Sequence, residues 1–294
     1  MTSVLIVNWN TRELLAECLG SLPIGFGGEA HEVLVVDNGS TDGSVAMVRK
    51  SFPEVRLVAL AGNRGYASGN NLAAGKATGD ELMFLNADTR LRRGCVEALR
   101  MRLYANAKIA LVAPKLILPD GSVQASCRGF PSPLSVAMDA IGLAALLPRA
   151  FGSYRMRTMD YGVAQRVPQP MATCWLMKRS AWERVGGFDE RFPIFFNDVD
   201  WCRRAANLGL EAWYEPAAEV EHVGGASTRQ VRPQMVWESH ISLLRYYRKH
   251  LPWGAGSPMY WIVVPPVILG ALVRAKGWHD GFRPDRDHRE LEHP

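Results

Sequence analysis

Glycine is missing where a dinucleotide fold would need it. The first apolar run, Ser3 to Val7, ends in Asn8-Trp9-Asn10-Thr11, so no GxGxxG turn follows it. The glycines at 62, 65 and 69 come later and at the wrong spacing, and no GxxxxGK[ST] phosphate loop occurs. Hydride transfer on a dinucleotide fold and P-loop chemistry are thereby set aside. Nucleotidyl transfer would want a basic, glycine-rich triphosphate loop near the N-terminus, and that is absent too. Cysteine is scarce: five residues (18, 95, 127, 174 and 202), odd in number and without CxxC spacing. That pattern excludes a disulfide framework and a zinc site, and fits reduced thiols in a cytosolic compartment. No charge of one sign dominates. Lys+Arg 34 against Asp+Glu 29 leaves a net charge of +5, which suits anionic ligands or an anionic membrane surface but falls short of a nucleic-acid binder. Long apolar runs are lacking as well. Val4 to Val7 is too short for a secretory signal, and Met259 to Val273 is below spanning length and interrupted by Pro265-Pro266. There is no internal repeat, and the tail from Arg283 to Glu290, dense in both charges, reads as a solvated or disordered end.

What the chain does have is an ordered alternation. Its 294 residues, 48% of them hydrophobic, suffice for a sizeable core. Ser3 to Val7 reads as a strand, and Leu14, Leu15, Cys18, Leu19 and Leu22 mark one face of the helix after it. Asn10 and Glu13 have capping-box-like spacing at that helix. Glu32 to Val36 is a second strand, ending in Asp37-Asn38-Gly39-Ser40-Thr41-Asp42, with a helix expected from about Gly43 to Lys50. Val55 to Leu60 is a third, and Asn63-Arg64-Gly65-Tyr66-Ala67-Ser68-Gly69-Asn70-Asn71 opens the next helix. Leu82-Met83-Phe84-Leu85 is the fourth, running into Asn86-Ala87-Asp88-Thr89. This is the pattern of a doubly wound, Rossmann-like α/β sheet, mostly parallel, with helices on both faces. Right-handed crossovers bring the polar strand ends to one edge, where Asn8, Asp37 and Asp88 should converge.

Each acid has two readings. Asp88 stands either to meet a metal or polar ligand beyond its strand or to cap a helix beginning near Arg92. Asp37 can accept from a pyrimidine imide or a ribose hydroxyl, or simply serve the Asp-Asn-Gly-Ser turn. A hard cation such as Mg²⁺ or Mn²⁺, bridging a nucleoside diphosphate to one carboxylate, would account for an acidic strand-end site.

Together these blocks resemble the family 2 glycosyltransferases of the GT-A fold, and in particular the bacterial rhamnosyltransferase-like enzymes of polysaccharide and cell-wall assembly. The resemblance covers roughly residues 3 to 250. It implies that Asn8, Asn10, Asp37, Asn38, Asn63, Gly65, Asn70 and Asn86 bind a nucleotide-sugar, and that Asp88 holds Mg²⁺ or Mn²⁺. Val185-Gly186-Gly187-Phe188-Asp189-Glu190 and Asn197-Asp198-Val199-Asp200-Trp201-Cys202-Arg203-Arg204 match that family's GGFDE and EDxDLxxR motifs. The acid at the position of Asp198 is there the general base on the acceptor hydroxyl. One base without a covalent nucleophile implies single displacement and inversion at the anomeric carbon. Asp200 reads as a helix-capping residue paired with Arg203 or Arg204. Asn197 departs from the family, which usually has Glu there. With Asn86 it leaves open a second reading, a non-catalytic nucleotide-sugar binder with a degraded site. His222, ending a strand before Gly224-Gly225, is implied either to complete the metal shell or to reach the diphosphate, and Ser227, Thr228 and Arg229 follow on the same loop within reach of phosphate. By resemblance dTDP-rhamnose is the favoured donor, with UDP-hexoses open, and the acceptor is a glycan or lipid-linked glycan.

Two apolar segments remain. Leu134 to Leu147, with Asp139 as its one charge, is a lid or acceptor-side helix or else plain core. From Arg245 to Lys276, cations and aromatics flank an apolar stretch, as in an interfacial anchor or else a C-terminal core helix. The expected organisation is a nucleotide-sugar-binding half over 1–115, an acceptor-side and catalytic half over 116–230, and a helical extension over 231–294. That extension would lie against the cytoplasmic face of the membrane.

Overall fold

The computed structural model of the chain describes residues 1–224 and 228–284. Its strands are β1 (Thr2–Asn8), β2 (His31–Asp37), β3 (Arg56–Ala59), β4 (Glu81–Asn86), β5 (Thr89–Leu91), β6 (Ile109–Ile117), β7 (Cys127–Arg128), β8 (Gln165–Val167), β9 (Gln169–Pro170), β10 (Cys174–Lys178) and β11 (Glu211–His222). The helices are α1 (Arg12–Phe26), α2 (Ser44–Ser51), α3 (Tyr66–Lys76), α4 (Cys95–Tyr104), α5 (Pro133–Ala140), α6 (Leu143–Leu146), α7 (Pro148–Phe151), α8 (Arg179–Val185), α9 (Asn197–Asn207), α10 (Arg232–His250) and α11 (Pro258–Ala275).

The main sheet runs β3-β2-β1-β4-β10-β6-β11-β5, with β8 beside β11. The first four strands pair parallel, β10 inserts antiparallel between β4 and β6, and β6 pairs parallel with β11. Strands β1, β2, β3, β4, β6 and β11 therefore point one way, and β5, β8 and β10 the other. Side-chain alternation feeds two cores. Val4 and Ile6 pack on one face with Leu15, Leu19 and Leu99, while Leu5 faces Trp175, Trp182 and Trp201 on the other. All five cysteines are buried free thiols.

Three local expectations are corrected. Helix α1 starts at Arg12 with Thr11 as its cap residue and no side-chain cap. Asn10, in left-handed backbone at φ 51, instead accepts from the Thr41 amide at 2.8 Å through Oδ1, so no capping box forms. Helix α4 starts at Cys95 after Gly94, which leaves Asp88 in the β4–β5 turn and not at a helix start. The third concerns Pro265 and Pro266, which do not interrupt α11: it is one helix of 18 residues. By length and composition it could cross a membrane, and only 17% of it is buried. Proline keeps a helical φ while forfeiting backbone hydrogen bonds. Here Tyr260, Val263 and Val267 pack against Tyr246 and Tyr247, and Ala271 and Ala275 against Trp237, holding the helix on α10.

Candidate active site

Strand direction decides where the polar residues meet. The carboxyl ends of β1, β4 and β11 lie at one edge of the sheet, and antiparallel β10 brings its leading residues, Met171 to Thr173, to that same edge. There a cavity of about 720 Å³ opens, lined by Trp9, Asn38, Asn63, Asn86, Asp88, Asp198 and His222 among others. Open α/β sheets place ligands at this edge.

Asp88 and His222 are neighbours across the β5–β11 pairing, with Asp88 Oδ1 at 3.5 Å from His222 Nε2. The other ring nitrogen, Nδ1, lies 2.7 Å from Gln124 Oε1 and must donate to it. With Nδ1 occupied in this way, Nε2 is the ring nitrogen that faces the carboxylate, and the two atoms are a nitrogen and an oxygen that could ligate one cation. One oxygen and one nitrogen ligand suit a divalent ion such as Mn²⁺ that completes its shell from a ligand. Among the described residues no group of three or more His, Cys, Asp and Glu gathers to hold a metal. Of these described residue types, Asp88 and His222 are the pair that a cation here would meet.

Asp198 sits in the first turn of α9 and lines the same cavity. Its Oδ2 accepts from Gln169 Nε2 at 2.9 Å and from the Ala172 amide at 3.4 Å, and its Oδ1 from the Val199 amide at 2.8 Å. Burial raises its pKa above the ordinary carboxylate value, and the Val199 and Ala172 amides only partly offset that. Gln169, itself buried, carries no signature in the sequence that would have marked it. Gln124 was equally hidden, because its partner His222 is 98 residues away.

Behind Asp198 the helix is locked. Asp200 is fully buried and takes Arg204 Nε at 2.9 Å, Lys249 Nζ at 2.6 Å and His250 Nε2 at 2.8 Å. Of the two arginines expected as partners, it is Arg204 that pairs, while Arg203 lies over the Phe130 ring. Arg204 also donates to the carbonyls of Val185 and Gly187 at 2.6 and 2.7 Å, fastening the Gly186-Gly187 loop to α9. From α3, Asn71 exchanges two 2.9 Å hydrogen bonds with the Phe188 backbone. Asn197 donates to the carbonyls of Phe192 and Ile194 at 3.3 and 2.8 Å, which a glutamate carboxylate could not do. The departure from Glu at this position thus has a structural reason of its own.

The remaining sequence candidates divide. Asn38, Asn63 and Asn86 line the cavity, and Asn38 Oδ1 and Asn86 Oδ1 are buried acceptors without a donor among the described residues. Asn8, Asn10, Asp37, Gly65 and Asn70 are not among the lining residues and instead brace the loops that are. Asn8 Nδ2 donates to Asp37 Oδ2 at 2.8 Å, and Asp37 Oδ1 accepts from the Ser40 amide at 2.8 Å. Gly65, at φ 89, donates its amide to Asn63 Oδ1 at 2.9 Å and accepts from Asn38 Nδ2 at 3.1 Å. Asn70 back-bonds to the Tyr66 carbonyl at 2.9 Å. Ser227 lies outside the described residues, and the side chains of Thr228 and Arg229 are likewise not described.

Comparison with known proteins gives this geometry its context. The profile of glycosyl transferase family 2 matches residues 3–186. The chain is 31% identical over 242 residues to the N-acetylglucosaminyl-diphospho-decaprenol L-rhamnosyltransferase of Mycobacterium tuberculosis, covering 78% of each protein. Its fold is similar to that of the mannosyltransferase PcManGT from Pyrobaculum calidifontis, solved with GDP-Man and Mn²⁺, at a TM-score of 0.58 and 20% identity over 93% of this chain and 73% of that one. A second similar fold is GalNAc-T7, solved with UDP, GalNAc and Mn²⁺, at a TM-score of 0.55 and 14% identity. There 76% of this chain is covered but only 43% of that one. With a profile that spans more than half of its length and a relative matched over most of both chains, this chain belongs to glycosyl transferase family 2 as a rhamnosyltransferase-like, GT-A-fold enzyme of glycan biosynthesis that uses a nucleotide-sugar.

Proposed function

We propose that the enzyme is an inverting, divalent-cation-dependent glycosyltransferase acting on a lipid-linked glycan, with a deoxyhexose such as rhamnose as its favoured donor sugar and UDP-hexoses as the alternative. One observation carries the reading: the Asp88–His222 pair and Asp198 line a single cavity. When bound, Mg²⁺ or Mn²⁺ would neutralise the donor diphosphate as the bond to the sugar breaks. Asp88 and His222 would hold that ion. Asp198, its proton affinity raised by burial, would take the proton from the attacking acceptor hydroxyl. Gln169 and the Ala172 amide keep the carboxylate aimed. No second acid need act as nucleophile, which supports single displacement. Asn38, Asn63 and Asn86 would meet the nucleoside and sugar directly. Asn8, Asn10, Asp37, Gly65 and Asn70 would serve by holding the loops around it.

In this reading residues 1–115 hold the donor, 116–230 supply the base and acceptor side, and 231–294 form an extension at the cytoplasmic membrane surface. The exposed apolar face of α11 and the lack of any buried residue in α5 support contact with a lipid phase. The rhamnosyltransferase relative, whose name carries a polyprenyl diphosphate acceptor, supports the lipid-linked substrate.

The test is turnover of nucleoside-diphosphate sugars by the wild-type chain, Asp88→Ala and Asp198→Asn. Loss of transfer of about 10²-fold or more is expected for Asp198→Asn. Near-wild-type transfer in either variant would falsify the role given to that residue.

A further inference from the structure

After α11 the chain turns back over the cavity. Trp237 Nε1 donates to the Gly277 carbonyl at 2.8 Å, and the Trp237 and Trp278 rings touch at a tilt of 54° with centroids 4.4 Å apart. Further on, the Phe282 amide donates to Glu238 Oε2 at 3.3 Å. Glu238 is buried and is fixed by Ser242 at 2.9 Å and by Arg245 at 2.5 Å. Gly281, at φ 75, passes so near that a Cβ there would lie 3.1 Å from Glu238 Oε2. The opposite side of this strap rests on the donor loop: a Cβ on Gly65 would lie 3.2 Å from Phe282 Cε1. The glycine of the Asn-Arg-Gly-Tyr block thus serves its own positive φ and the close approach of Pro193, whose carbonyl oxygen would lie 2.8 Å from that Cβ, as well as leaving space for Phe282.

The strap ends by placing Gly281, Phe282 and Arg283 on the cavity wall. Among the described residues that line this cavity, Arg283 is the only lysine or arginine, against the two carboxylates Asp88 and Asp198. A nucleoside diphosphate brings two or more negative charges into that acidic setting. Among the described residues Arg283 pairs with Asp280, at 2.8 Å, and the two side chains are 76% and 61% exposed. Such a surface pair contributes little, about 0–1 kcal/mol, so an anion can compete for the guanidinium at small cost. A planar guanidinium is also suited to two phosphate oxygens at once.

We infer that Arg283 is a donor-binding residue, contacting the diphosphate of the nucleotide-sugar from the C-terminal strap. This rests on the donor reading given above. It also makes the extension part of the donor site, since the strap is anchored on α10 through Trp237 and Glu238.

The experiment is calorimetric titration of the full chain with dTDP, UDP and the corresponding nucleosides, in Mn²⁺ and at two salt concentrations. The proteins are wild type, Arg283→Ala, Arg283→Glu and Asp280→Ala. Loss of one charge-assisted contact should weaken diphosphate binding about tenfold in Arg283→Ala and further in Arg283→Glu, with nucleoside binding unchanged. Asp280→Ala should bind as tightly as wild type or more so. The salt dependence of diphosphate binding should shrink in Arg283→Ala. Unchanged diphosphate affinity in Arg283→Ala overturns the inference while leaving the donor reading intact. An equal loss for nucleoside and diphosphate also overturns it, because the effect would then be structural. A wild-type chain that binds neither diphosphate overturns the donor reading and this inference with it.

Discussion

His250 Nε2 donates to Asp200 Oδ1 across 2.8 Å, joining the last residue of α10 to the first turn of α9, two positions beyond Asp198. Lys249 and Arg204 converge on the same carboxylate, and Lys249 reaches on to Asp189 at 2.7 Å. The helix that carries the proposed base is therefore fixed to the helix that carries the extension.

Asp200→Ala leaves Arg204, Lys249 and His250 without their common acceptor and is expected to destabilise the fold by about 3–5 kcal/mol. His250→Ala, which leaves Lys249 and Arg204 in place, should cost less. Burial alone would raise the Asp200 pKa, but His250, Lys249 and Arg204 bring it below the ordinary value. A carboxyl with a depressed folded pKa adds stability above its unfolded value of about 3.9 and loses it as pH falls through the folded one. Urea melts from pH 7 downward should show this acid loss in wild type and not in Asp200→Ala.

Asp198 has the opposite sign. Its folded pKa is raised, so its contribution to stability is greatest below about 3.9 and is lost as pH rises through the folded value. Thermal midpoints of wild type relative to Asp198→Asn should therefore rise on acidification. Transfer needs the ionised form and should fall on the acid side at a pH above the usual carboxylate range. A pH–rate profile with its acid limb at or below pH 4 would sink the assignment of Asp198 as base.

Among the described residues no third His, Cys, Asp or Glu joins Asp88 and His222 around the proposed cation, so Mn²⁺ alone should bind weakly and bind tightly together with a nucleoside diphosphate. Gln124→Leu removes the acceptor that orients His222 and should weaken nucleotide-linked Mn²⁺ binding about 10- to 100-fold. Titration with and without nucleotide checks both points. Tight metal binding to the apo chain contradicts the two-ligand site.

On α11, Ile262, Leu269 and Val273 fall on one helical face, each more than 60% exposed. Leu269→Glu and Val273→Glu should release the protein from vesicles of anionic phospholipid in a sedimentation assay without lowering its thermal midpoint. Equal co-sedimentation of wild type and both variants argues against membrane contact through this face.

Much of the site could be anticipated because its residues end strands. Asn8, Asp37, Asn86 and Asp88 follow apolar runs directly, and the crossover rule gathers such ends at one edge. The cavity then selected among them. Asp37 turned inward to Asn8 and Ser40, while Asn86 and Asp88 face the open space. Asp200 could be assigned to a salt bridge from its i,i+4 spacing to Arg204, but nothing local pointed to Lys249 and His250.

Sequence alone determined the alternation of strands and helices, the acidic character of the site and the family blocks, because each is written in a few adjacent residues. Tertiary structure decided what depends on distant segments meeting. Antiparallel β10 carries Met171 to Thr173 back to the active edge, Gln169 aims Asp198 and Gln124 orients His222. Only in the fold does the segment after α11 return to put Arg283 on the cavity wall. Side chains separated by tens to hundreds of residues leave no mark on each other's local pattern, so their partnership becomes visible only once the sheet order and helix packing have been set.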